Sequence, residues 1–181
     1  MEIERKFLVN YLPFDLGEFE VIHITQGYIS IDPVIRIRSE AMKIPREDTG
    51  VKELTSIFSS PISSTPMKMR YTLTCKGKGL MAREELNLLI SGDAYRHLLS
   101  KVEGRLIKKD RYIIPMDDDP DGLVCELDVF KEDMEPLVMA EIEFVSEAEA
   151  RAFDPPYWFG EEVTDQPAYQ NANMSLRKSD L

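Results

Sequence analysis

Glu2-Ile3-Glu4-Arg5-Lys6-Phe7-Leu8-Val9 sets Glu2, Glu4 and Lys6 at every second position, with Ile3, Phe7 and Val9 in the other phase. A period of two belongs to a β-strand, whose successive side chains point to opposite faces. Arg5 alone is out of step. The same alternation recurs along the chain. Arg36 and Arg38 oppose Ile35 and Ile37, and Arg70, Thr72, Thr74 and Lys76 oppose Tyr71, Leu73 and Cys75. Arg83, Glu85 and Asn87 stand against Leu86, Leu88 and Ile90, while Lys109 and Arg111 share a face. Glu126 and Asp128 oppose Cys125, Leu127 and Val129; Glu141 and Glu143 oppose Ala140, Ile142 and Phe144.

Eight strands are therefore expected, at about 2–9, 20–30, 34–39, 69–76, 83–90, 105–115, 123–130 and 137–145. Tyr95, Leu98, Leu99 and Val102 fall at helical spacing, which predicts a helix over Gly92 to Val102. A short helix is expected from Ser146 to Phe153, with Ser146 as its cap, and another from Pro167 to Leu176. DDDPDG at 117–122 reads as a tight turn. Residues 40–68 fit no period and hold Pro45, Gly50, Pro61 and Pro66. They read as a flexible insertion in one domain spanning 1–181, and a loop of that length is uncommon unless functional or mobile.

Composition narrows the partners. The 181 residues carry 22 Lys and Arg against 33 Asp and Glu, a net charge of -11. Such a balance disfavours nucleic acid and anionic membrane. The charge is uneven: residues 110–165 hold 18 acids and 3 bases, whereas 1–109 hold 14 acids and 17 bases. A basic ligand site is thus expected to draw on the N-terminal part. Two cysteines, Cys75 and Cys125, make no disulfide framework and read as packing thiols on the apolar face. The charged start, in place of an apolar leader, leads to an expectation of a cytoplasmic protein. His23 and His97 lie in unrelated segments, which disfavours a histidine zinc site, and Lys76-Gly77-Lys78-Gly79 lacks the spacing of a P-loop.

Two readings of the charged face remain open from pattern alone. One is an antiparallel sheet with a wet face. The other is a closed barrel that turns its charges into a lumen and its apolar face outward under helices. Glu2, Glu4, Glu85, Glu126, Asp128, Glu141 and Glu143 are acidic; Lys6, Arg36, Arg38, Lys76, Arg83, Lys109 and Arg111 are basic. A lumen with both signs needs a ligand with both signs. Paired carboxylates suit a hard divalent cation, and Arg and Lys suit phosphate oxygens, so a metal complex of a polyphosphate meets both demands.

The first strand resembles the ExExK signature of the CYTH superfamily, the triphosphate tunnel metalloenzymes. The similarity continues in order through Gln26-Gly27-Tyr28, Ile35-Arg36-Ile37-Arg38, Leu73-Thr74-Cys75-Lys76, Arg83-Glu84-Glu85, Lys109-Asp110-Arg111-Tyr112, Asp128-Val129-Phe130 and Ala140-Glu141-Ile142-Glu143-Phe144. A similar tail follows at Val163-Thr164 and Tyr169-Gln170-Asn171. The resemblance implies a mainly β, eight-stranded antiparallel closed barrel with a few peripheral helices, and Mg²⁺ or Mn²⁺ in its lumen. It implies hydrolysis of inorganic triphosphate or a related triphosphate, with adenylate cyclase activity or non-catalytic polyphosphate or nucleotide binding as alternatives.

The resemblance also assigns roles. Glu2, Glu4, Glu141 and Glu143 would be metal ligands, with Glu85, Glu126 and Asp128 as further acidic sites. Lys6, Arg36, Arg38, Lys76, Arg83, Lys109 and Arg111 would hold phosphates. Lys6, Glu4 and Tyr28 are the catalytic candidates. The expected partner is a triphosphate-containing small molecule, for a monomer or homodimer with no nucleic acid or membrane. Three features depart from the pattern: Asn87 where an acid is frequent, the insertion at 40–68, and KEDMEP at 131–136 in place of glycines.

Overall fold

The computed structural model describes residues 2–44, 66–77, 82–116 and 122–176, with backbone alone at 82 and 83. Its strands are β1 (Glu2–Leu8), β2 (Glu20–Ile31), β3 (Val34–Lys43), β4 (Met67–Lys76), β5 (Ala82–Arg83), β6 (Glu85–Leu89), β7 (Glu103–Pro115), β8 (Val124–Phe130) and β9 (Val138–Glu143). Helices α1 (Gly92–Leu99), α2 (Glu147–Ala152) and α3 (Asn171–Met174) are short. The eight expected strands are all present, the fifth broken at Glu84 into β5 and β6.

One antiparallel sheet joins them in the order β5-β1-β9-β8-β7-β2-β3-β4-β6. It is curled rather than closed by an unbroken ladder. β5 meets β1 through only two residue pairs, Glu2 with Arg83 and Ile3 with Ala82. β6 meets β4 from Thr72 to Lys76. Between them the Glu84 carbonyl turns aside to accept from the Gly77 amide at 2.8 Å. The two ends of the sheet are thus consecutive in the chain, but the ladder is interrupted where they meet.

The insertion is shorter than its pattern suggests. β3 continues to Lys43 and β4 begins at Met67, in register from Glu40 with Arg70 to Lys43 with Met67. The Ile44 amide donates to the Pro66 carbonyl at 3.1 Å. Backbone ladder bonds extend these strands without a clean apolar alternation, and so hydrophobic patterning passes over them. The rest of the expected loop, 45–65, lies outside the described residues, as does 117–121 of the expected turn. The first expected helix stops at Leu99, and the last resolves into a 3-10 turn at Pro167–Tyr169 followed by α3.

The main core lies on the convex face. Ile3 and Phe7 of β1, Cys125 and Leu127 of β8 and Ala140 and Ile142 of β9 pack there with Phe144, Ala150 and Phe159. Arg5 explains its lapse in phase on this face. Its guanidinium donates to the Ala150 and Phe153 carbonyls at 2.8 and 2.9 Å and pairs with Glu162 at 2.6 Å. A long cation is tolerated among aromatics because four of its five N–H donors are used on Ala150, Phe153 and Glu162. Cys125 is buried as expected, and burial pushes its thiol up. Cys75 is exposed, contrary to expectation, because its neighbour Leu86 across the ladder is itself left open at the sheet end.

The concave face changes character along its length. At one end Tyr28, Ile107, Phe130 and Met139 form a second apolar cluster, packed against Tyr169, Ala172 and Met174. The C-terminal segment is tied down there by the Arg105 amide on the Ser175 carbonyl at 2.8 Å, beside Gly104 at φ 71°. A Cβ on Gly104 would come within 2.4 Å of that carbonyl. The remainder of the concave face is mostly ionisable.

Because the Ile44–Pro66 bond already closes a hairpin, replacing 45–65 by a short Gly/Ser turn is expected to keep one cooperative thermal transition. Each halving of the loop relieves about 0.6 kcal/mol of closure entropy, so the midpoint should match or exceed the parent's. A midpoint lowered by more than about 10 °C, several kcal/mol for a domain of this size, would show that the segment packs on the fold.

Candidate active site

Register decides what meets on the concave face. Lys6 stands opposite Glu141 and Glu4 opposite Glu143 across β1 and β9. Glu126 faces Glu141, and Arg111 faces Asp128. On the other flank Arg38 faces Gln26 and Thr72, while Arg36 faces Tyr28 and Thr74. These side chains surround one cavity of about 720 Å³, lined among others by Glu2, Glu4, Lys6, Tyr28, Arg36, Arg38, Lys76, Glu85, Arg111, Glu126, Glu141 and Glu143.

The floor of the cavity is a buried ion network. Arg111 grips Asp128 with two parallel bonds of 2.7 Å and reaches Glu141 at 2.7 Å and also Glu126. Lys109, fully buried, pairs with the same Asp128. Lys6 lies 2.8 Å from Glu141 and 3.1 Å from Glu4. Burial disfavours the Glu141 anion, yet Lys6, Lys109 and Arg111 together hold its carboxyl well below its usual range. Burial also disfavours the Arg111 cation, and Asp128, Glu126 and Glu141 overcome it, raising Arg111 further. Lys109 is pulled down to about 8, by burial first and by Arg111 and Arg38 against the support of Asp128.

The basic flank is oriented by uncharged side chains and carboxylates together. Arg36 donates to Thr74 Oγ1 at 3.0 Å, Thr74 donates to Asn87 Oδ1 at 2.6 Å, and Asn87 donates to Glu85 at 2.7 Å. Burial and the neighbouring Arg38 lower Arg36 to about 10. Lys76 bonds Glu2 at 2.9 Å and pairs with Glu85. Burial works against the Glu85 anion, but contacts with Glu2, Lys76 and Asn87 bring it down to about 2. Asn87 in place of an acid is therefore a link between Glu85 and Arg36, a role that needs a donor and an acceptor on one side chain.

The opposite flank is acidic and less compensated. The Glu143 carboxyl is pushed up to about 7 by burial and then by Glu126, Glu2 and Glu4. Glu126 is raised by burial, with Glu141 and Asp128 adding to it against Arg111. Among the described residues, no three His, Cys, Asp or Glu side chains form a ready-made ion site. The donor set still fits a hard cation: Glu2, Glu4, Glu126 and Glu143 supply only carboxylate oxygens, and their mutual repulsion is what a divalent charge relieves.

Most residues singled out in the sequence converge on this cavity. Lys109 and Asp128 lie beneath its lining, both fully buried. The Arg83 backbone pairs with Glu2, and its side chain lies outside the described atoms. Tyr28 lines the wall beside Arg36. Arg70 and Thr72, read on the polar face but given no role, also line the cavity, while sequence reasoning missed Glu40 as a lining residue and Gln26 behind it. Glu40 fell in the misread insertion, although its phase continues Arg36 and Arg38 and would have placed it.

Fold and cavity together define a class: mainly antiparallel β proteins that line the hollow of one curled sheet with ionisable groups of both signs. No family model matches the chain. The inorganic triphosphatase of Nitrosomonas europaea is 34% identical over 180 residues, spanning 97% of both chains. That of Acetivibrio thermocellus is 27% identical over 179 residues, covering 96% of this chain and 92% of the other. The crystal structure of the inorganic triphosphatase NE1496 is similar at a TM-score of 0.59 and 32% identity, over 97% of each chain. The chain belongs to the family of these inorganic triphosphatases.

Glu143 sets a test by pH. Its folded value lies above the ordinary 4.5, so its contribution is fully present below about 4.5 and is lost as pH rises through about 7. Glu143→Gln is therefore expected to gain thermal stability relative to the parent across that window, in a chelating buffer. A difference between the two melting curves that does not change with pH would contradict the placement of Glu143 among these acids.

Proposed function

We propose that this chain is a divalent-metal-dependent inorganic triphosphatase of the CYTH superfamily, with the curled sheet acting as a closed tunnel around its substrate. The observation that carries this reading is the division of one cavity into a guanidinium wall, Arg36 with Arg38, and a carboxylate wall, Glu143 with Glu2, Glu4 and Glu126. An extended polyanion with a counter-cation spans such walls, and each half of the complex meets its opposite charge. The near-full-length similarity to inorganic triphosphatases supports the same reading.

Glu2, Glu4, Glu126 and Glu143 would hold Mg²⁺ or Mn²⁺. Such an ion supplies Lewis-acid polarisation of phosphate oxygens and neutralises charge in the transition state. Arg36, Arg38 and Lys76 bind and orient the phosphate chain, with Arg36 and Lys76 fixed through Glu85. Lys6, held between Glu4 and Glu141, is placed beside the reacting phosphate. The chemistry is attack of water on a terminal phosphorus with cleavage of its bridging P–O bond, releasing phosphate and pyrophosphate. Phosphoryl transfer asks the protein mainly for position and electrostatics, which a prearranged ion lining provides.

The direct test incubates the purified chain with triphosphate, ATP and thiamine triphosphate, with Mg²⁺, Mn²⁺ or chelator. Phosphate, pyrophosphate and cyclic AMP are measured. Triphosphate with metal is expected to give the highest kcat/KM; cyclic AMP as the main product would replace this reading with a cyclase. Glu4→Gln should lose divalent-dependent turnover and keep its thermal transition. Arg38→Ala should cost about 1.5–3 kcal/mol in kcat/KM, the usual worth of a hydrogen bond to a charged group. Unchanged kinetics in Arg38→Ala would place its guanidinium outside the reacting complex.

A further inference from the structure

Gln26 is wholly buried on the concave face of β2, an uncommon place for a primary amide. Its two polar atoms engage two different residues of the cavity wall. Arg38 Nε donates to Gln26 Oε1 at 3.2 Å, and Gln26 Nε2 donates to the Tyr28 hydroxyl oxygen at 3.1 Å. The orientation of the amide follows from chemistry. A guanidinium has only donors, so the atom facing Arg38 must be the carbonyl oxygen, and the atom facing Tyr28 is then the NH2. The Tyr28 oxygen consequently accepts from Gln26, and its own proton must go to some other acceptor.

We propose that Gln26 is a positioning residue for the reaction, acting through Arg38 and Tyr28 by fixing the polarity of the chain Arg38 to Gln26 to Tyr28. Anchoring Arg38 through Nε sets the plane of its guanidinium and presents its terminal nitrogens toward the cavity, where one also meets Glu40 at 3.3 Å. On the other side, the amide makes Tyr28 a hydrogen-bond donor. Tyr28 lines the cavity, and a phosphate oxygen there is the acceptor such a donor suits. The proposal deepens the triphosphatase reading and rests on it for its kinetic arm.

Gln26→Glu separates the two bonds. A carboxylate still accepts from Arg38 but has no donor for Tyr28, so the phenol turns to donate to residue 26 instead. This variant is expected to lower kcat for triphosphate at least about tenfold, with KM within about threefold, because the ground-state Arg38 contact survives. In a Tyr28→Phe background the same change should have little further effect, a coupling that simple damage to packing does not produce. Gln26→Met, lacking both bonds, should lower kcat and raise KM, and it replaces the first variant if that one fails to show a cooperative thermal transition.

A second measurement needs no turnover. Ultraviolet titration of each chain, taken as the difference from its Tyr28→Phe counterpart, isolates ionisation of this phenol. Loss of the amide donor in Gln26→Glu or Gln26→Met should lower its acid ionisation constant about tenfold, since a hydrogen bond to the charged form favours that form. Unaltered ionisation in both variants, or losses of kcat that simply add to that of Tyr28→Phe, would overturn the proposal. If the unsubstituted chain fails to cleave triphosphate, the functional reading falls, and the titration still decides the role of Gln26.

Discussion

The carboxylate of Asp128, withdrawn from water, is shared by Lys109 and Arg111, and the concave face is arranged around that contact. Burying three charges costs several kcal/mol per ion before pairing, and removal of one partner leaves the others uncompensated. Such a cluster persists only when its geometry is nearly complete. Arg111 meets that condition by reaching Asp128 and Glu126 on β8 and Glu141 on β9 from its own place on β7. Lys6 joins β1 to the same Glu141. Four neighbouring strands are thereby held in one register, because a slip of one residue would turn these charges toward the apolar convex face.

Above this balanced floor, the rim is deliberately unlike it in its electrostatics. Burial and the neighbouring Arg38 lower the affinity of Arg36 for its proton on one wall, and Glu143 is crowded by three carboxylates on the other. Each wall sets like charges side by side, leaving an excess of one sign that Glu85, 3.7 Å from Arg36, and Glu40, 3.3 Å from Arg38, offset only in part on the basic side. An excess of that kind lowers stability in the empty protein and is available for ligand binding, a common relation between activity and stability. It also explains how a chain with a net charge of -11 presents a basic surface: the field that matters is local to β3 and β4.

The convex face and the C-terminal segment give this lining its rigidity. The Lys6 amide donates to Thr164 Oγ1 at 3.0 Å, and the Val163 amide returns a bond to the Lys6 carbonyl at 2.8 Å. Arg5, one residue earlier, pairs with Glu162 on the same segment. A strand that contributes Glu2, Glu4 and Lys6 to the cavity is therefore fixed from behind by residues more than 150 positions away in sequence. Side chains held this way need little reordering when a ligand arrives.

Local alternation was enough to locate the strands and to sort most of the charged lining residues onto one face. Glu2, Glu4 and Lys6, or Glu141 and Glu143, follow from the two-residue period alone, because strand geometry leaves them no other arrangement. The resemblance in ordered motifs then pointed to triphosphate chemistry. Pairing between distant strands decided the rest. Nothing within β8 or β7 shows that Asp128 is sealed under Lys109 and Arg111 while Glu126 stays at the rim, and the phase of β1 puts Arg5 on the outer face without showing what it meets there. Asn87 looked like a lost acid and is a link between Glu85 and Arg36. The ends of β3 and β4 were hidden because ladder hydrogen bonds, unlike side-chain patterns, leave no trace in residue type, and Glu40 was passed over with them although it keeps the phase of Arg36 and Arg38. Which face a side chain takes is a property of its own strand; what it meets there depends on register, and register is set by contacts between strands far apart in the chain.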